Sequence, residues 1–221
     1  ADTARWFMLS DSPPDRDMEW TEAGVEGAYR YVHRLYRLVS EMAPALPAAD
    51  APRPAGFSNA AMGLRRSAHK TVANVTHDVD NFHFNRAVAR LYELTNALNG
   101  FQPGDDADRW AQAEAAAFLV RMVGPMMPHL AEELWEMLGN TTMLADTPWP
   151  LADPALTVDE RVTVAIQVNG KKRATVELPR DAEEDQAKEA ALAEPAVQRT
   201  LGEQAPRKII VVPNKIVNVV A

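Results

Sequence analysis

The sequence predicts a mainly α protein, a helical bundle followed by a small α+β domain of β-β-α-β-β order. Three observations carry this prediction. Apolar residues recur at helical spacing through most of residues 21–138. The period changes to strict alternation at Val162–Val168, and Asn169-Gly170, the strongest short hairpin signal, follows at once. Between the two regimes lies a proline-rich stretch, Thr147-Pro148-Trp149-Pro150, continuing through Asp153-Pro154. The expected domains are 1–150 and 157–221, with 151–156 as a linker.

Residues 1–20 read as a short apolar piece, Trp6-Phe7-Met8-Leu9, and a turn at Ser12-Pro13-Pro14-Asp15. Thr21 is a candidate N-cap. After it Val25, Ala28, Tyr29, Val32, Tyr36 and Val39 form the apolar stripe of a first long helix, which Pro44 and Pro47 end. Residues 44–57 form a loop. A second helix is expected from about Ser58 to Asp80, burying Leu64, Ala68, Thr71, Val72, Val75 and Val79. The pattern breaks at 82–85, with Asn85 as a possible cap. A third helix carries Val88, Leu91, Tyr92, Thr95 and Leu98 and stops at Gly100. Asp108 is read as the cap of a fourth helix, ending near Gly124. Pro128 opens a fifth, since its missing N–H costs nothing at the first helical position. Leu130, Leu134, Trp135 and Leu138 form its stripe, and Glu132 and Glu133 lie early, near the positive end of the dipole.

Beyond Asn169-Gly170 the return strand is Lys171 to Leu178. Simple alternation puts Ala174, Val176 and Leu178 on one face with Lys172 at the core margin, and Lys171 and Arg173 on the other. Asp181 with Glu184 reads as a capping box for a helix to about Leu192. Pro195 opens a further short helix that Gly202 stops. Ile209–Val212 and Ile216–Val220 are the last strands, joined by Pro213-Asn214-Lys215.

A chain of 221 residues with a net charge of −8 has an ordinary globular composition. It has no cysteine, which excludes disulfides and thiolate metal sites. No uninterrupted apolar run reaches the roughly 18 residues of a membrane span, and no signal peptide pattern opens the chain. A cytoplasmic location is expected. The start at Ala1-Asp2-Thr3 rather than Met reads as that of a fragment. The acidic total hides a local excess of base. Residues 24–90 hold nine Lys/Arg against five Asp/Glu, a local +4, while residues 151–221 sum to −1.

Chemistry-bearing motifs are scarce. His69, His77 and His83, near Asp78 and Asp80, lack the spacing that presents two ligands on adjacent turns, so no metal site is expected. His129 reads as a packing or capping residue. The sequence has no phosphate-binding glycine loop, nucleophile elbow or zinc-protease motif, and no catalytic residue is assigned. The basic residues are more informative. Arg30, Arg34 and Arg37 stand at i, i+4, i+7 on the first helix, and Arg66 and Lys70 at i, i+4 on the second. Two such helices side by side would grip phosphates. In the small domain Lys171, Lys172 and Arg173 leave the hairpin turn, and Arg207, Lys208 and Lys215 flank the last strands. The candidate nucleic-acid contacts are Arg30, Arg34, Arg37, Arg66, Lys70, Lys171, Arg173, Arg207, Lys208 and Lys215.

The run Pro125-Met126-Met127-Pro128-His129-Leu130-Ala131-Glu132-Glu133-Leu134-Trp135 resembles the Pro-x-x-Pro-His-x-x-Glu-Glu-Leu-Trp signature of a synthetase domain. That domain is the helical anticodon-binding domain of class I aminoacyl-tRNA synthetases of the leucyl, isoleucyl and valyl group. Ala1–Leu9, Ser12-Pro13-Pro14, Glu19-Trp20, Gly24-Val25-Glu26-Gly27 and Arg34-Leu35 are similar to the segment that follows the catalytic domain. His69-Lys70-Thr71-Val72, Phe84–Ala89 and Glu93-Leu94-Thr95-Asn96 are similar to the long helices, although Arg86 stands where the family often has Thr. Gln167–Arg173 and Val211–Asn218 resemble the C-terminal domain of the bacterial leucyl branch.

The resemblance implies the tRNA-binding tail of an ATP-dependent ligase that charges tRNA(Leu). ATP and magnesium would serve the parent enzyme, and no cofactor this part. The catalytic His-x-Gly-His and Lys-Met-Ser-Lys-Ser motifs do not occur here, nor is there room for an inserted editing domain. The implied partners are tRNA(Leu) and the catalytic domain of the same chain, with no membrane. Two other readings stand beside it. One is the equivalent part of a valyl or isoleucyl enzyme. The other is a helical protein-interaction scaffold with no nucleic-acid role, which the acidic net charge favours.

Overall fold

The computed structural model describes residues 1–158, 161–202 and 204–220, so Asp159, Glu160, Glu203 and Ala221 lie outside it. The chain divides into two units, Ala1–Thr157 and Val158–Ala221. The mainly α bundle and the small four-stranded α+β unit are both present.

The first unit contains α1 (Asp2–Ser10), α2 (Glu22–Met42), α3 (Asn59–Asp80), α4 (Phe84–Gly100), α5 (Asp106–Val123), α6 (Pro128–Met137) and the short α7 (Pro154–Thr157). Thr21 is the cap the sequence predicts, and Ser58, the expected start of the second helix, caps it. Thr21 Oγ1 accepts from Gly24 N–H at 3.2 Å, and Ser58 Oγ accepts from Ala61 N–H at 3.0 Å. Others differ. The cap of α5 is Asp105, which accepts from Asp108 N–H at 2.8 Å. Asp108 instead accepts from Ser58 Oγ and Gly104 N–H, which hold its carboxyl below the usual carboxylate range. Asn85 lies inside α4, whose N-cap position is His83.

Residues 2–10 are a helix and not merely an apolar stretch. Trp6 and Phe7 enter the main core with Tyr31, Leu35, Leu91, Leu94, Leu119, Met127 and Leu134. Phe7 packs so near the start of α2 that a Cβ on Gly24 would sit 2.5 Å from its ring, and only glycine permits that approach. The docking of α1 also sets the rotation of α2. Its buried residues are Ala28, Tyr31, Leu35, Val39 and Met42, whereas Tyr29 and Tyr36 are exposed. The expected stripe through Tyr29 and Tyr36 was out of phase. Tyr31 takes the core position because its ring stacks on Trp6 and its hydroxyl pairs with Thr95 Oγ1 at 2.9 Å.

The proline run before α6 is where α1 docks. Arg5 donates to the carbonyls of Pro125 and Met126 at 2.7 and 3.1 Å. Asp2 accepts from Leu130 N–H at 2.7 Å and lies 2.9 Å from His129 Nδ1, so a residue of α1 caps the N-terminus of α6. Glu132 accepts from Leu144 and Ala145 N–H and fixes the 3-10 turn at Leu144–Asp146. Asp2→Ala is expected to cost about 1–2 kcal/mol, the upper range for a lost cap. A urea titration followed by tryptophan fluorescence reads this, and an unshifted midpoint contradicts it.

The segment 151–156 is not a free linker. Trp149 Nε1–H donates to Thr76 Oγ1 at 2.8 Å, Asp153 N–H donates to His69 Nδ1 at 2.9 Å, and Leu156 is buried. These contacts place the segment on α3 within the first unit.

The second unit has β1 (Arg161–Val168), β2 (Lys171–Pro179), α8 (Glu184–Ala193), α9 (Pro195–Leu201), β3 (Lys208–Val212) and β4 (Ile216–Val220). The sheet order is β2-β1-β4-β3, with β1 and β4 parallel and the other pairs antiparallel. Asn169 and Gly170 both have positive φ, 50° and 78°, as the expected two-residue turn requires. Val164, Ile166, Val168, Leu178, Val217 and Val219 meet Ala187, Ala191 and Val197 of the helices. The Asp181–Glu184 capping box does not form. The N-cap position of α8 is Glu183, and Asp181 pairs with Asn214 through two hydrogen bonds of 2.8 and 2.6 Å.

Candidate nucleic-acid interface

The positive residues of α2 line a groove of about 410 Å³ with Tyr29, His33, Leu38, Glu41 and Asn99 of α4. Each cation stands differently there. Arg30 is paired with Glu26 at 2.7 Å, one helical turn back. Arg34 donates to Asn96 Oδ1 at 2.6 Å, which ties its guanidinium to α4. Arg37 is exposed and takes part in no ion pair among the described residues. Tyr29 and His33 form an edge-on ring pair with centroids 4.3 Å apart. The groove therefore combines guanidinium groups with an exposed aromatic surface, a pairing suited to phosphates and bases together.

Arg66 and Lys70 are half-buried on α3 and engaged with neighbouring groups. They do not complete a two-helix clamp with α2. The main packing of α2 is against α1 and α6, and that of α3 is against α4 and α5. The expected side-by-side pairing of these two basic faces is absent because α1 takes the place beside α2.

In the second unit the strand register sorts the cations into two groups. Lys171 pairs with Val168, which in turn pairs with Val219, and Lys208 pairs with Val220. Lys171, Lys172, Arg207 and Lys208 thus stand at one end of the sheet. Crossing from β2 to β3 spans three strand spacings, roughly 14 Å. Lys215 precedes β4 and lies at the opposite end, beside the Asp181–Asn214 pair. The register also shifts between Ile166 and Gln167, so that Ile166 faces Ala174 while Gln167 faces Lys172. Arg173 is the extra residue of a bulge. The bulge reverses the alternation, moving Lys172 to the face of Gln167 and Lys171 to that of buried Val168. All three of Lys171, Lys172 and Arg173 are exposed, so Lys172 is not at the core margin. The helical side is acidic, with Glu183, Glu184, Asp185 and Glu189. Hydrogen bonds to Glu184 and Asp185 hold the Lys188 ammonium above its ordinary range. This unit contains no aromatic residue and no histidine, so contacts from it to nucleic acid rest on charge and hydrogen bonds.

His69 belongs to structure. Its Nδ1 accepts from Asp153 N–H, which leaves the ring proton on Nε2, facing Glu114 at 3.4 Å. Among the described residues no group of three His, Asp or Glu is placed to hold a metal ion. Nor is any helix there long and apolar enough to cross a membrane.

A family model described as the anticodon-binding domain of tRNA ligase matches residues 63–189. The chain belongs to this anticodon-binding family. The matched span runs from α3 into α8, so the groove residues of α2 lie outside it. A leucine–tRNA ligase of Paramagnetospirillum magneticum is 54% identical over 220 residues, covering 100% of this chain and 25% of the relative. One from Parvibaculum lavamentivorans is 51% identical with the same coverage. The chain spans about a quarter of the length of the curated relatives it matches. A solved leucyl-tRNA synthetase of Agrobacterium radiobacter K84, in a ternary complex with tRNA and LeuAMS, superposes with a TM-score of 0.83. Its identity is 28%, with 99% of this chain and 28% of that chain covered. A methionyl-tRNA synthetase of Mycobacterium tuberculosis shares the fold over 63% of this chain and 33% of its own, at a TM-score of 0.54 and 17% identity.

Sequence reasoning found the arginines of the groove but missed Tyr29 and His33, because Tyr29 was placed on the apolar stripe. The usable signal was their i, i+4 spacing among Arg30, Arg34 and Arg37, which marks a face carrying rings and charge together.

Proposed function

We propose that this chain is the tRNA-binding C-terminal portion of a cytoplasmic leucine–tRNA ligase. It holds tRNA(Leu) while a catalytic portion of the same enzyme, with ATP and magnesium, performs the ligation. This portion needs no cofactor of its own. The observation that carries the reading is the α2 groove, with an exposed Arg37 and ring pair, in a chain that matches leucine–tRNA ligases along its whole length. The basic sheet end of the second unit supplies a second contact surface. The relatives' names favour the leucyl reading over the valyl and isoleucyl ones. Binding of this kind reads shape and backbone more than sequence.

Replacing Arg34 and Arg37 together with alanine is expected to weaken tRNA(Leu) binding. It should also flatten the plot of log K against log salt by about 1.4–1.8 units, as for two lost phosphate contacts. The Lys171/Lys172/Arg207/Lys208 quadruple alanine variant should flatten it independently. The check is filter binding across a salt series. Wild-type slopes in both variants would remove both surfaces, and no tRNA binding by the wild type would leave the protein-scaffold reading.

A further inference from the structure

We propose that the α2 groove receives a single unstacked nucleotide of the tRNA, its base against Tyr29 and its flanking phosphates on Arg34 and Arg37. The inference rests on the tRNA-binding reading and goes further, because it specifies the form of RNA that enters. A duplex passing over α2 would present phosphates to the arginines but keep its bases stacked inside. It would leave the Tyr29 ring, 54% exposed, uncovered. An extruded base covers that ring, and base–aromatic stacking is indifferent to which base is offered.

The dimensions and chemistry agree. A volume of about 410 Å³ falls in the range of small-ligand clefts. Along the helix Arg34 stands about 7.5 Å and Arg37 about 12 Å from Tyr29, so base and phosphates meet different residues. His33 backs the Tyr29 ring edge-on, and the Arg34–Asn96 bond holds one guanidinium in position before RNA arrives. Glu41 and Asn99, at the arginine end of the groove, supply acceptors for a ribose hydroxyl of the flanking backbone. A protein partner fits less well. Leu38 is the sole aliphatic side chain lining the groove, and three arginines face one carboxylate. The second unit has no ring to offer a base, so within this chain stacking falls to the helical unit.

The test measures tRNA(Leu) binding by Tyr29→Ala, Tyr29→Phe and the Arg34→Ala/Arg37→Ala variant over a salt series. Tyr29→Ala should weaken binding about five- to 150-fold with an unchanged salt slope, while Tyr29→Phe stays within about twofold of wild type. A single-stranded hexa-adenylate should compete with tRNA better than an RNA duplex of the same length, and Tyr29→Ala should abolish that preference. Tyr29 is exposed, so its variants should melt like wild type. Wild-type affinity in Tyr29→Ala, with weakened binding in the arginine variant, would overturn the nucleotide proposal and leave the interface in place. A loss in Tyr29→Phe equal to that in Tyr29→Ala also overturns it, since a hydroxyl contact and not stacking would then be lost. Wild-type binding in all three removes the groove from the interface.

Discussion

Arg65→Ala is expected to destabilise the helical unit by about 3–5 kcal/mol, the cost of breaking one side of a buried ion pair. Arg65 is 1% exposed. Its Nε and Nη2 donate to the two carboxylate oxygens of Glu114 at 2.7 and 3.1 Å. Its guanidinium lies 4.4 Å from the centroid of the Phe57 ring and 5.5 Å from that of Trp110. Truncation leaves Glu114, among the described residues, with only the long contact to His69 and removes the group packed against both rings. Replacing both partners, as Arg65→Met/Glu114→Leu, should cost much less than either single truncation, because no buried charge is stranded. All five tryptophans lie in the first unit. Urea unfolding followed by their fluorescence therefore reads this unit alone, and a loss below about 1 kcal/mol would falsify the claim.

The same pair makes stability depend on pH. Burial opposes ionisation of Glu114, but hydrogen bonds from His69 and Arg65, with the Arg65 charge, outweigh it and hold the carboxyl below its usual range. A folded-state value below the unfolded one means the contribution is fully present above the ordinary glutamate range. It is lost as pH falls through the folded value. The urea midpoint of the wild type should therefore decline as pH drops below about 4–5, and Glu114→Gln should lack that component.

Trp6→Ala is expected to cost about 3–5 kcal/mol as well, through lost burial and the cavity it leaves. Trp6 is fully buried, stacks on Tyr31 with centroids 4.7 Å apart and planes 10° apart, and donates to the Tyr92 hydroxyl at 3.2 Å. The melting temperature of the helical unit should fall by about 6–20 °C. Trp6→Phe keeps the stack but loses the indole donor and should recover part of the loss. The four remaining tryptophans report the transition. A fall of less than about 3 °C would mean that α1 is a loosely attached segment and not part of the core.

How far the elements were legible depended on whether their signals were local. Thr21, Ser58, Pro128, Pro195 and Asn169-Gly170 act on backbone within a few residues, and each stands where local chemistry places it. Asp108 and Asp181 were misread because another residue competes for the same side chain. Ser58 and Gly104 engage Asp108, and Asn214, 33 positions away, engages Asp181. The face of Lys172 was misassigned because a bulge follows from strand register, which neither strand encodes alone.

The sequence by itself determined the two regimes of period, the order of helices and strands, the turn at Asn169-Gly170 and the charges of α2. These follow from side-chain spacing and backbone preference, which neighbours along the chain establish. Only the tertiary structure decided which face of α2 is outward. Tyr29 and Tyr31 are equally apolar, and the docking of Trp6 against both Tyr31 and Tyr92 puts one in the core and the other in the groove. It likewise decided that Asp2 caps a helix 128 residues away and that Lys171 and Lys208 share an end of the sheet while Lys215 does not. Such choices rest on contacts between segments distant in sequence, and their energies exist only once the segments meet.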